Sequence, residues 1–148
     1  MAEQNPLRRI LRALDLWIHG KVHFRVGLEN IRLEDHGETF AAFRNLDVDP
    51  ADEQPARPGA IFQVRFRFKN LSDTANRRLS LIPIPLIVAQ PGFRSKTWLL
   101  GQQTGDFIGL YEFDTVEAAK AYGDSLPLRM MKRRAAPGSL KHTLEVRE

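Results

Sequence analysis

The chain has no cysteine among its 148 residues. That removes disulfides, thiolate metal sites, iron–sulfur clusters and a cysteine nucleophile together, and it fits a reducing compartment. No segment approaches the ~20 consecutive apolar residues that a membrane-spanning helix needs. A signal peptide is not legible either, because Arg8, Arg9 and Arg12 interrupt the apolar residues of the start and no small-residue cleavage site follows. The expected location is the cytoplasm. Tyrosine and tryptophan are scarce, at two each. Aromatics interleaved with a dense basic patch, the pattern that reads nucleic acid, are therefore missing. The net charge of +4 permits an anionic partner without specifying one, and no nucleic-acid partner is expected. His-Glu-x-x-His, the Gly-x-Ser-x-Gly elbow and the phosphate-binding glycine loop are all absent. No metal and no cofactor is therefore expected.

What is present suits a folded domain. The hydrophobic fraction of 43% is enough for a packed core, which argues against disorder of the whole chain. Asn5 can cap a helix that Pro6 opens. Leu7, Ile10, Leu11 and Leu14 recur at helical spacing, and Gly20 ends the segment. The helix is basic and amphipathic. It can dock on its own domain or a partner, or lie on a membrane surface, and its short apolar face favours docking. In 21–33, Val22, Phe24, Val26 and Leu28 alternate with polar residues, as in a strand with one buried face. His36-Gly37 marks a turn, and 39–46 a return strand. Residues 47–59, with three prolines and four acids, read as a linker. The expected division is thus an N-terminal extension, 1–59, and a main domain, 60–148.

The main domain alternates cleanly over 60–68, with Phe62, Val64, Phe66 and Phe68 on one face. A helix follows, and Pro83 and Pro85 must either kink it or end it near Leu81 with a second short turn at Pro85. Strands are expected over 94–100 and 106–113 around a hairpin at 102–105. A helix covers 116–125, a basic and apolar stretch 126–136, and a last strand 139–146. Strand, helix, strand, strand, helix, strand is the split βαβ order. The fold class is α+β, a ferredoxin-like βαββαβ unit with an antiparallel sheet and both helices on one face. The other face needs a cover, from a partner subunit's sheet or from the N-terminal segment.

The stretch Pro91-Gly92-Phe93-Arg94-Ser95-Lys96-Thr97-Trp98, then Thr104-Gly105-Asp106-Phe107-Ile108-Gly109-Leu110-Tyr111, then Ala121-Tyr122, resembles the YdhR-like branch of the dimeric α/β-barrel superfamily. The resemblance covers about 60–146 and implies a homodimer in which two sheets pair. Members are commonly labelled monooxygenases. Superfamily monooxygenases that use neither metal nor flavin oxidise electron-rich aromatics in a pocket between sheet and helices. Such a pocket needs a base, a partner for the oxyanion and a dry cavity.

The candidate ligand-binding residues are Trp98, Tyr111, Lys96 and Phe66, with His142 as base, since its ordinary pKa is near neutrality. The competing reading makes Trp98 and Tyr111 core or dimer-interface aromatics. If Trp98 faces the helices, the strand period of two sends Lys96 and Arg94 there too. Lys96 could anchor an anionic or carbonyl group, or pair with an acid on the facing helix or with Glu112. Arg129, Lys132, Arg133 and Arg134 form the densest basic patch, a solvated helix face or an anion-binding one. The function expected is binding of a small apolar or aromatic molecule, with cofactor-independent oxygenation as its chemistry. The alternative is a non-catalytic structural or interaction protein, one version of which sits peripherally at an anionic membrane surface.

Overall fold

The computed structural model describes residues 11, 20, 22–25, 27–28, 30–49, 58–68 and 73–147. The expected N-terminal helix and most of the linker lie outside them. Among the described residues one seven-stranded antiparallel sheet runs in the order β1-β3-β5-β6-β4-β7, with β2 also paired to β3. The strands are β1 (Val22–Phe24), β2 (Arg32–Asp35), β3 (Glu38–Val48), β4 (Ala60–Phe66), β5 (Phe93–Gly101), β6 (Phe107–Phe113) and β7 (Lys141–Val146). The helices are α1 (Asp73–Leu79), α2 (Ile84–Val88), α3 (Val116–Gly123) and α4 (Leu126–Arg134). The last four strands, with their helices, are the ferredoxin-like unit. The extension adds β3 beside β5, from Phe40 opposite Gly101 to Asp47 opposite Ser95, and so lengthens the same sheet.

The expected strand over 21–33 is two short pieces instead. β1 meets only the end of β3, with Val22 opposite Val48, and Phe24 is exposed. Gly27 has φ 77°, a left-handed conformation that breaks an extended run. At the next turn His36 and Gly37 both have positive φ, 48° and 80°, the backbone of a tight two-residue hairpin. The proline question resolves by interruption. α1 ends at Leu79, the chain turns through 80–83, and Pro83 caps α2 with Pro85 in its first turn. Proline costs nothing there because those N–H groups have no partner within the helix. Thr115 caps α3, its hydroxyl accepting from the Ala118 N–H at 3.1 Å. Ser125 caps α4, and Leu128 and Met131 bury its inner side.

Alternation along β4 decides which face is dry. Phe62, Val64 and Phe66 are buried against α2, α3 and α4, together with Trp98, Phe107, Tyr111, Phe113 and Tyr122. Burying an aromatic side chain of this size contributes about 1.5–3 kcal/mol, so this face carries most of the core. The opposite face has a smaller cluster, Phe40, Leu99 and Ile108, with β2's Leu33 packed on it. No described helix is long and apolar enough to cross a membrane.

Candidate functional site

The site grows from the pairing of β5 with β6. Lys96 lies opposite Tyr111, and Trp98 opposite Gly109. Period two sends Lys96, Trp98 and Tyr111 together toward the helices. The Lys96 and Tyr111 side chains fill the space over Gly109: a Cβ there would sit 2.9 Å from Tyr111 Cε1 and 3.2 Å from both Lys96 Cε and the Tyr111 Oη. The amine's last carbon and the phenolic oxygen therefore flank one point on the sheet.

Lys96 is 2% exposed. Its Nζ lies 4.4 Å from the Trp98 ring centre and 4.6 Å from that of Tyr111, so two aromatic faces stand where a counter-ion would be. No carboxylate among the described residues pairs with it. Arg44 lies beyond, its guanidinium carbon 5.0 Å from the Trp98 ring and its Nη1 donating to Ser80 Oγ at 2.8 Å. Burial, reinforced by the Arg44 charge, holds the Lys96 ammonium well below the ordinary lysine pKa. Burial likewise raises the Tyr111 and Tyr122 phenols, so both stay protonated at neutral pH. The two hydroxyls face each other in a poorly formed hydrogen bond, and among the described residues they and the Trp98 Nε1–H have no other partner.

Above this floor is an apolar cavity of about 30 Å³, walled by Phe66, Phe107, Pro83, Met130 and Met131, with Lys96 and Trp98 in its lining. It lies between sheet and helices and has room for about two waters. Two larger concavities, of about 470 and 440 Å³, are open to solvent and lined mainly by charged and polar side chains.

The structure thus brings Lys96, Trp98 and Phe66 to one cavity, with Tyr111 against Lys96. His142 stands apart. It lies on edge strand β7 opposite Val64, is exposed, and stacks on Phe62 with ring centres 5.3 Å apart. An edge strand lacks the neighbour and helix cover that would enclose a side chain. Arg94 leaves the helical face because a bulge between Phe93 and Ser95 breaks the alternation, and it pairs with Asp114. The salt bridge expected for Lys96 does not form among the described residues. Glu112 follows Tyr111 and so faces the other side, where it lines a groove with Arg94 and Ser95. Neither α2 nor α4 contains an acidic residue. Residues that sequence reasoning missed are Gly109, over which Lys96 and Tyr111 pack, and Arg44, which adds the second positive charge. On α4, Arg129, Lys132 and Arg133 are exposed, while Arg134 donates to the Leu79 carbonyl at 3.1 Å. They form the solvent side of a docked helix.

This sheet with its helix layer is a ferredoxin-like α+β fold. Among solved structures the chain is similar to a heme-degrading enzyme from Listeria monocytogenes, with a TM-score of 0.57 and 8% identity over 93% of this chain and 94% of that one. It is also similar to an anthrone oxidase-like protein, with a TM-score of 0.52 and 17% identity over 75% of this chain, which spans 55% of that longer one. No family model matches the chain, and no curated protein does.

Proposed function

We propose that the cavity binds a small apolar or aromatic molecule bearing an acidic hydroxyl or an enolisable carbonyl, and that its chemistry is cofactor-independent oxygenation with Lys96 as the base. The observation that carries this reading is a fully buried lysine with no carboxylate partner among the described residues, set in an apolar cavity beside two aromatic rings. A neutral amine there can take the proton of a phenol or enol, and the resulting ion pair is strong where water is excluded. The electron-rich anion then reacts with dioxygen. A methylene oxidised to a carbonyl gives up the four electrons that dioxygen takes, with one oxygen atom ending in the product and the other in water. The balance needs no metal or flavin.

A fused-ring substrate is larger than the cavity, so α2 and α4 must part to admit it. Met130 and Met131 line that side, and unbranched thioether chains repack readily. No histidine ligand for heme is at hand among the described residues of this cavity. The described histidines, His23, His36 and His142, all lie outside the cavity lining. We further propose that two copies pair through the open sheet face, where Ile61 and Leu110 are half-buried, in the cytoplasm of the cell.

Thermal stabilisation and oxygen uptake with a panel of hydroxylated polycyclic aromatics test the reading. A raised Tm and oxygen consumption that Lys96→Met abolishes are expected. Neither stabilisation nor uptake with any member contradicts it.

A further inference from the structure

The polar atoms around Lys96 describe more than a base. Three of the four buried side-chain atoms left without a hydrogen bond among the described residues are Trp98 Nε1, Tyr111 Oη and Tyr122 Oη. Native proteins rarely leave such groups unpaired, because each costs about 1–3 kcal/mol. Two of them belong to the rings that flank the Lys96 amine. The indole can only donate, and a phenol held protonated donates too. The constellation is a buried amine packed with the Tyr111 ring over Gly109, beside the Trp98 N–H and the Tyr111 hydroxyl, in the lining of the apolar cavity.

A carbonyl matches that set. Its carbon accepts the amine's electron pair and its oxygen accepts the hydrogen bonds. A carboxylate matches less well, because it needs a charged lysine and burial opposes the charge. Lysines desolvated in apolar pockets, or placed next to a second cation, are the ones activated for this chemistry, and Lys96 has both features.

We infer that Lys96 captures a small aldehyde or ketone as an imine in the cavity that Phe66, Trp98, Phe107 and Met131 enclose. The inference rests on the reading of that cavity as a ligand site. The amine nitrogen bonds to the carbonyl carbon as the C=O π pair moves to oxygen; the oxygen takes one proton from the nitrogen while the Tyr111 O–H and Trp98 N–H hydrogen-bond to it, and the second amine proton leaves with that oxygen as water. The carbinolamine then loses its C–O bond as the nitrogen pair forms C=N. One amine and one carbonyl give one imine and one water, with no oxidant or reductant.

The full chain incubated at pH 7 with propanal, acetone or benzaldehyde and sodium cyanoborohydride, then digested and mapped by mass, tests this directly. Exposed Lys120, Lys132 and Lys141 are internal controls. An ordinary lysine near pKa 10.4 is neutral in only about one molecule in 2,500 at this pH. Lys96 is expected to be alkylated at least about tenfold faster than each control, and Tyr111→Phe, which keeps the ring, is expected to slow Lys96 alone. Labelling of the controls with Lys96 silent for all three probes overturns the inference. If a hydroxylated aromatic still binds in that case, and binds more weakly to Lys96→Met, the cavity reading stands and only the imine fails. If Lys96 is labelled while no aromatic binds, the imine stands and the aromatic-oxidation reading fails.

Discussion

The two faces of the sheet each shelter a cation, and they treat it in opposite ways. On the open face Arg65 donates to Asp35 at 2.8 Å, Glu38 at 3.0 Å and Asp106 at 3.0 and 3.1 Å, and lies 4.8 Å from the Phe40 ring centre. Burial opposes its charge, but the hydrogen bonds to Asp35 and Asp106 outweigh that and raise its pKa. On the helical face Lys96 has rings in place of carboxylates and a second cation nearby. Arg65 ties three parts of the chain together: β4, the β2–β3 hairpin and the loop before β6. Lys96 ties nothing. A charge that stabilises the fold is surrounded by acceptors, and a buried basic group left without them is available to a ligand.

The comparison breaks first at Arg65. Arg65→Met leaves Asp35, Glu38 and Asp106 facing one another, and is expected to cost about 3 kcal/mol in urea unfolding; a loss below about 1 kcal/mol would remove the structural role.

Lys96→Met has the opposite sign. The folded pKa of Lys96 lies below its unfolded value, so between the two the unfolded chain binds more protons and wild-type stability rises with pH. The variant lacks that dependence. It is expected to be the more stable protein at pH 7, with the gap closing toward pH 9 by up to about 1.4 kcal/mol per pH unit. Urea curves at the two pH values check this, and a constant gap contradicts it.

A smaller effect, about 1.5 kcal/mol, is expected for Glu38→Gln. Burial disfavours the Glu38 charge. The N–H groups of Thr104 and Gln103, the Thr104 hydroxyl and Arg65 overcome this and lower its pKa. Its contribution is present above the ordinary carboxylate pKa and lost as pH falls through the depressed value, so the variant's deficit is expected to shrink in acid melts. The smallest effect is at Tyr111. Tyr111→Phe removes a hydroxyl with no well-formed hydrogen bond and is expected to be neutral or stabilising by under about 1 kcal/mol; a loss above that would reveal a partner for the hydroxyl.

Much of this frame is legible in the chain itself. Ile61-Phe62-Gln63-Val64-Arg65-Phe66 states which residues of β4 face the core, and the same rule applied to Lys96, Trp98 and Tyr111 puts them on one side. It also sends Glu112 to the other side and so rules it out as a partner for Lys96. The acid-free sequences of α2 and α4 rule out the facing helix as well. Other features depend on distant pairing. β1 looks like a strand with one buried face, yet it lies at the sheet's edge and leaves Phe24 in solvent. His142 alternates correctly, but edge position decides its exposure. Arg44 reaches Trp98 only because β3 of the extension pairs with β5, which local pattern does not reveal.

The protonation state of Lys96 tests the account most directly. With the lysine side chains carbon-13 labelled at Cε, and Lys96→Met supplying the assignment, an NMR titration from pH 5 to 11 reads it without any ligand. One lysine titrating well below the others and missing from the variant is the result expected here. Lys96 titrating with the exposed lysines near 10.4 would contradict both the base and the nucleophile.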